Sequence, residues 1–374
     1  MKWLIGIVLL GFIVFFHELG HFLAAKLFGV TVESFSLGFG PILVHRTHGT
    51  TDYRLSLIPL GGYCGMKGEK EFIHALETDS RSIDAARDSL YGIHPLKRAV
   101  IGGAGPLFNI LFAWIAFVVI ALSGYRYNSY TPTITLVDEV DHSIHSAARD
   151  AGLLTGDTIT RINGAPISDF SDIIQAVAPH PHETLTVTVD RHGETLTFAV
   201  YTDFDATDGS GKIGVHVHDP TPIVREAERY PFFPALWHGA LQTGQSIALT
   251  FKGIALLFQG VQLRTAISGP ARITDMLGGA ATEGFASGVR NGVVHILELM
   301  ALISVSLFAV NMLPIPILDG SMILAACIQT ITRRQIHPKV LYYAQFVGLA
   351  VIAVLFVIGL TGDITYFFHA FREG

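Results

Sequence analysis

The chain has 374 residues, half of them apolar and only 15% charged, with a mean hydropathy of +0.47. That is too apolar for a soluble protein of this length, while a net charge of −6 and a pI near 6.3 leave no basic field to hold nucleic acid. Cys64 and Cys327 are the only cysteines and form no Cys-x-x-Cys pair, so neither a disulfide framework nor a thiolate metal site is indicated.

Residues 1–28 read as a first membrane helix. Leu4 to Phe16 is almost wholly apolar, and after five more polar residues the block resumes through Phe22-Leu23-Ala24-Ala25 to Phe28. Roughly 25 helical residues cover a hydrocarbon core of about 30 Å, so the polar interruption lies inside the membrane. No small-x-small cleavage site follows, which favours a retained span over a signal peptide. Residues 29–98 form a loop rich in Arg and Lys, and 99–123 a second span. Residues 127–218 hold a soluble domain with strands expected at Thr133 to Val137, Leu185 to Val189 and Thr195 to Tyr201, all rich in β-branched side chains. Residues 219–292 follow as an amphipathic region, in which Ala240 to Leu263 is interrupted by Gln242, Thr243, Gln245, Lys252, Gln259 and Gln262 and suits a surface-lying helix. A third span over 293–330 is broken by prolines, and a fourth covers 340–360. Positive charge in 29–98 and at Arg333, Arg334 and Lys339 places those loops in the cytosol, and both termini and residues 124–292 outside.

The interruption in the first span is His17-Glu18-Leu19-Gly20-His21. On a helix the i and i+4 imidazoles share one face and can reach one Zn²⁺, with Glu18 beside them as general base. Three ionisable side chains at membrane depth are costly and mark a functional site. A catalytic zinc takes a third protein ligand, and the best candidate lies in Asn311-Met312-Leu313-Pro314-Ile315-Pro316-Ile317-Leu318-Asp319-Gly320. The prolines break the helix there, and irregular backbone at that depth is tolerated only when buried or lining a wet cavity. His17 lies about 20 Å along the helix from Leu4, in the cytosolic half, and Asp319 arrives on the same side. Glu298 would lie roughly 30 Å away and is expected to pair with His295 at the outer interface instead.

These residues resemble the site-2 protease family of intramembrane metalloproteases, in the bacterial branch that contains regulator of sigma-E protease. Its pattern is H-E-x-x-H in the first span with a distant N-x-x-P-x-P-x-x-D-G, matched by His17 to His21 and Asn311 to Gly320. Phe39-Gly40-Pro41, Ile58-Pro59-Leu60-Gly61-Gly62-Tyr63, Gly103 to Asn109 and Ser268-Gly269-Pro270 are similar to that branch as well. The resemblance implies an α-helical polytopic membrane protein of about four transmembrane helices. It also implies a β-hairpin-like element in the cytosolic loop that pairs with unfolded substrate, compatible with the alternation of Tyr53 to Ile58. Ala147 to Gly164 resembles part of a PDZ domain, so 127–218 is expected to be an inserted extracytoplasmic α+β PDZ domain. One such domain is visible, whereas the best-known enterobacterial members carry two.

The implied function is hydrolysis of peptide bonds in or near the transmembrane segment of single-span proteins, in a bacterial inner membrane. One Zn²⁺ per chain would be held by His17, His21 and Asp319. Asn311, Pro314, Gly61 and Gly62 are the expected substrate contacts, and anti-sigma factors or remnant signal peptides the expected substrate types. A membrane-anchored PDZ adaptor with a non-catalytic metal site is the alternative, favoured by a closed four-ligand site, and an ion-coupled transporter is a third reading.

Overall fold

The computed structural model describes residues 1–207, 209–257, 268–286 and 288–373. In chain order it runs through α1 (Lys2–Leu27), β1 (Val32–His48), β2 (Thr51–Met66), α2 (Glu69–Glu77) and α3 (Pro95–Ser123). A mixed region follows, with β3 (Arg126–Ser129), β4 (Ile134–Leu136), α4 (Val137–Val140), α5 (Ala147–Asp150), β5 (Thr158–Ile162), β6 (Ala165–Pro166) and α6 (Phe170–Val177). It continues through β7 (Thr184–Arg191), β8 (Glu194–Tyr201), β9 (Asp203–Phe204), β10 (Gly211–Lys212), β11 (Val215–Val217) and β12 (Ile223–Glu226). The remainder is helical: α7 (Phe232–Leu256), α8 (Pro270–Ala286), α9 (Val289–Asn311), α10 (Asp319–Thr332) and α11 (Pro338–Glu373). The chain divides into two compact units, one of residues 1–123, 230–250 and 267–374, the other of 124–229 and 251–266.

In the first unit, α1, α3, α9 and α11 are, among the described residues, the four helices long and apolar enough to cross a membrane. Small residues bring them together, as expected where close backbone approach replaces a hydrophobic driving force. A Cβ at Gly20 of α1 would stand 2.3 Å from the Ala104 carbonyl oxygen of α3, and one at Gly6 would stand 2.0 Å from that of Thr274 of α8. Ile13, Phe112, Leu277 and Met300 interlock α1, α3, α8 and α9, while Ala113, Ala116 and Phe117 pack on Ala301 and Val305. Helix α7 buries Ala235, Gly239, Thr243 and Ser246, a stripe at helical spacing, and Gly239 lies against Val118 of α3. Part of the amphipathic stretch expected over 240–263 lies outside the described residues.

Two expected spans change their bounds. The third apolar block is two helices, because α9 stops at Asn311 and α10 starts at Asp319 with Pro314 and Pro316 between them. The fourth runs from Pro338 to Glu373 rather than 340–360, since a proline in the first turn is tolerated and nothing after Leu360 breaks the helix.

β1 and β2 form more than a simple hairpin. Ser34 to Leu37 pair on one side with Gly65 to Gly62 and on the other with Asp52 to Leu55, while Asp52 to Ser56 also pair with Thr47 to Ile42. Two bent strands thus make a four-row antiparallel sheet in which Gly62 to Gly65 is an edge row. The side chains of Pro59 and Leu60 lie outside the described residues.

In the second unit the sheet order is β6-β5-β7-β8, all antiparallel, with β4 pairing β11 and β3 pairing β12. The sequence Thr184-Leu185-Thr186-Val187-Thr188-Val189 turns alternate residues inward, and Leu185, Val187 and Val189 meet Ile159, Ile162, Ile173 and Leu153 in one core. Asn163 and Gly164, both with positive φ, make the tight turn between β5 and β6. The strand expected over Thr133 to Val137 is shorter, because Val137 opens α4.

Candidate metal centre

Four residues apart on α1, His17 and His21 present their rings on one face, and both are more than nine-tenths buried. Their Nε2 atoms stand 3.3 Å apart. Asp319, the first residue of α10, brings Oδ2 to 3.2 Å from His17 Nε2 and Oδ1 to 3.3 Å from His21 Nε2. Among the described residues this is the one group of three such side chains whose donor atoms converge closely enough to hold a metal ion.

The donor set fits zinc. Ligand atoms about 2.0–2.2 Å from a tetrahedral ion stand roughly 3.3–3.5 Å from one another, close to the separations seen here. Asp319 Oδ2 is buried and has no hydrogen-bond partner, although His17 Nε2 is 3.2 Å away. Two groups that are near but do not point at each other are arranged to share a third partner. Three protein donors also leave a fourth tetrahedral position open.

The outer contacts decide the tautomers. His21 Nδ1 lies 2.8 Å from the Ile101 carbonyl oxygen, which can only accept, so Nδ1 carries the proton and Nε2 presents its lone pair. His17 Nδ1 lies 3.0 Å from Nδ2 of the fully buried Asn109 carboxamide, whose Oδ1 has no partner. With that carboxamide turned so that Oδ1 accepts from Nδ1–H, Nε2 is bare on both rings. The Asn109 backbone is held across to α9, where Ser304 Oγ donates to its main-chain carbonyl oxygen at 3.0 Å.

Close backbone approach shapes the rest of the site. Gly105 of α3 lies over His21, and a Cβ there would stand 2.2 Å from Nε2. Glu18 faces the edge row of the sheet, where a Cβ at Gly62 would stand 3.3 Å from Glu18 Cγ and 2.7 Å from the Ser36 carbonyl oxygen. Gly61 lies against the Phe39 ring, which stacks on Tyr63. Asp319 is delivered by a strained turn: Ile317 has φ +84°, a left-handed conformation disfavoured for a β-branched residue. A Cβ at Gly320 would stand 2.4 Å from the Leu313 carbonyl oxygen, so only glycine lets the loop fold back at that point.

His17, Glu18, His21 and Asp319 therefore come together, and Gly62 joins them. Pro314 borders a cavity of about 400 Å³ that also reaches Asp319. Asn311 ends α9 half-buried, but the polar contacts of the two histidines go to Asn109, Ile101 and Asp319, not to Asn311. Glu298 and His295 border a separate polar cavity with Lys2, Asp275 and Tyr366. Sequence reasoning assigned no role to Asn109 or Gly105. A lone carboxamide inside an apolar span was the available signal for Asn109.

The sequence profile of peptidase family M50 matches residues 5–355. A protein named "Putative zinc metalloprotease" in Treponema pallidum is 36% identical over an alignment covering 99% of this chain and all of that protein. Proteins with names of the same form are 32% identical in Campylobacter jejuni, covering 98% of this chain and 94% of the relative, and 30% identical in Rhizobium meliloti, covering 96% and 95%. The match across nearly the whole chain, together with a converged histidine and carboxylate set that suits zinc, establishes that the chain belongs to peptidase family M50 and is a zinc metalloprotease.

Proposed function

We propose that this protein is an intramembrane endopeptidase that cuts single-span membrane proteins in or beside their transmembrane segment, using one Zn²⁺ per chain held by His17, His21 and Asp319. The observation that carries the reading is the convergence of three side chains, with 3.3 Å between the two Nε2 atoms and 3.2–3.3 Å from each of them to one oxygen of the Asp319 carboxylate, built on a helix long and apolar enough to span a membrane. When bound, zinc supplies a Lewis acid that polarises the scissile carbonyl and makes water acidic enough to attack. The Glu18 carboxylate takes the proton from that water and returns it to the departing amide nitrogen. Asn109 and the Ile101 carbonyl keep both imidazoles oriented with Nε2 toward the metal.

A substrate helix hides its carbonyls, so it must be unwound before attack. The edge row Gly62 to Gly65 runs past Glu18 and offers backbone groups to which an extended peptide can add as a further strand. Gly62 and Gly61 are the substrate-side contacts in this reading, with Pro314 shaping the cavity beside Asp319, while Asn311 acts at the end of α9.

Residues 127–218 are proposed to form an extracytoplasmic PDZ domain. An apolar groove of about 950 Å³ between α6 and β11, lined by Ile173, Val177, Ile213 and Val215, supports peptide docking there. The eight Lys and Arg residues of 29–98 support a cytosolic-side active site in a bacterial inner membrane, with both termini outside. Substrates of the anti-sigma-factor or remnant-signal-peptide type suit this orientation. The deciding experiment incubates purified protein in detergent with a single-span test substrate, with and without a strong zinc chelator. Chelator-sensitive cleavage that returns with added zinc is expected, and chelator-insensitive turnover would end the reading.

A further inference from the structure

The 400 Å³ cavity beside Asp319 runs along α10, past the first turns of α11, to Gln329. Its walls are mostly apolar, with Leu318, Ile328, Val340 and Leu341 among them, but its far end holds Arg98 of α3. Arg98 is 9% exposed, donates from Nη2 to the neutral Gln329 Oε1 at 2.5 Å, and has its Nε buried without any hydrogen-bond partner. The Tyr91 ring lies 5.8 Å from its guanidinium carbon. No carboxylate is paired with it among the described residues.

A guanidinium buried this deeply is ordinarily matched by a carboxylate, because a neutral amide and a ring face return only part of the lost hydration. Asp319 cannot serve, since both its oxygens are turned to the histidines. The missing anion must come from whatever fills the cavity, and in a protease whose chemistry sits at the other end of that cavity the occupant is a peptide. From Asp319 to Gln329 is ten helical residues, about 15 Å. An extended peptide covers that distance in four to five residues.

We propose that Arg98 binds a carboxylate of the peptide lying in this cavity, four to five residues from the bond that is cut, and so sets substrate preference. This rests on the endopeptidase reading. The carboxylate is either an Asp or Glu side chain of the substrate or the terminal carboxylate of a product fragment on its way out, and both suit the two-pronged geometry of a guanidinium.

The test uses the full-length zinc-loaded enzyme in detergent. Single-span substrates carry Glu or Gln at each position from three to seven residues from the cleavage site, on either side. Wild type should favour Glu over Gln by about tenfold in kcat/KM at the fourth or fifth position, of the order expected for one charge-assisted contact. Arg98→Gln should erase that preference, bringing kcat/KM on the Glu substrates down about tenfold to the level of the Gln ones. Gln329→Glu is the safeguard against misfolding, because it gives Arg98 an internal partner and should also erase the preference in a protein at least as stable. Product fragments ending in a free carboxylate or an amide separate the two sources: stronger inhibition by the free acid, lost in Arg98→Gln, assigns the terminal group.

Equal losses on Glu and Gln substrates in both variants would reduce Arg98 to a structural residue and overturn the proposal. So would activity that follows added anionic phospholipid regardless of the substrate carboxylate. Absence of all cleavage by wild type would sink the endopeptidase reading itself, whereas cleavage without any carboxylate preference sinks only the role of Arg98.

Discussion

Two carboxylates, one in each unit, show how differently the same group can be used: Asp157 is buried and Asp319 half-buried. Asp157, 1% exposed in the mixed sheet unit, takes hydrogen bonds from Arg191 Nε and Nη2 at 2.7 Å each and from the Leu154 N–H at 2.9 Å, and Arg191 goes on to the Gly152 carbonyl. Asp319, in the apolar unit, faces two imidazole lone pairs and leaves Oδ2 without a hydrogen bond. The first cluster is closed and complete, so it stabilises. The second is convergent and incomplete, so it is built to receive something. Polar satisfaction, more than burial, separates a structural carboxylate from a functional one.

The largest expected effect breaks the incomplete cluster. Glu18→Gln should retain zinc, because both imidazoles and Asp319 remain, and should lose cleavage by on the order of 10²–10⁴-fold because no base is left to move the proton. Metal content and turnover measured on one preparation check it, and near-normal turnover would remove Glu18 from the chemistry. Asp319→Ala should lower both zinc occupancy and activity. An unchanged metal exchange rate would leave Asp319 as no more than the first residue of α10.

Next in size, Asn109→Leu should weaken zinc binding or activity by roughly 10–100-fold, the usual cost of losing a partner that orients a histidine ligand. Titration against a competing chelator reads this directly. Parity with wild type would mean that His17 is oriented by packing alone.

The complete cluster should fail differently. Asp157→Ala leaves Arg191 half-buried without its partner and should destabilise its unit by roughly 3 kcal/mol, with zinc content unchanged. Amide exchange across β5 and β7 locates the loss. Burial alone would raise the Asp157 carboxyl, but the Arg191 and Leu154 hydrogen bonds outweigh it and hold it below its ordinary 3.8. Its contribution is therefore fully present above that value and disappears as pH falls through the lowered one. Acid should loosen this unit only below about pH 4, and in Asp157→Ala that component of the pH dependence should vanish.

The smallest expected effect on the chemistry comes from deleting 127–218. Zinc occupancy should be unchanged, since all three donors lie in the other unit. The selection of substrates should change instead: greater cleavage of a full-length substrate supports exclusion of bulky ectodomains, and loss of cleavage of a shortened one supports docking. Loss of zinc from a folded deletion protein would contradict the placement of the metal centre.

Much of this architecture was legible from local pattern. The four-residue spacing of His17 and His21 determines a shared helix face whatever surrounds it, because it depends only on backbone periodicity. Apolar length marked four candidate spans, and Pro314 and Pro316 required a break ahead of Asp319, since proline removes the N–H and clashes with the preceding turn. Alternation in Leu185, Val187 and Val189 marked an inward strand face.

What only the tertiary structure decided are the meetings of residues far apart in sequence. Asp319 reaches α1 because Gly320 lets the loop fold back under a strained Ile317, and no periodicity encodes that turn. Asn109 becomes the partner of His17 because Gly20 and Gly105 allow α1 and α3 to touch backbone to backbone. The doubling of β1 and β2 into four rows depends on register shifts that strand alternation cannot specify, and it alone places Gly62 beside Glu18. Arg98 reads in sequence as one more basic residue at a span's edge, and its burial beside Gln329 follows from the packing of α3 on α10. Spacing along one helix is set by bond geometry, whereas contacts between helices are set by which surfaces fit, and that is a property of the whole fold.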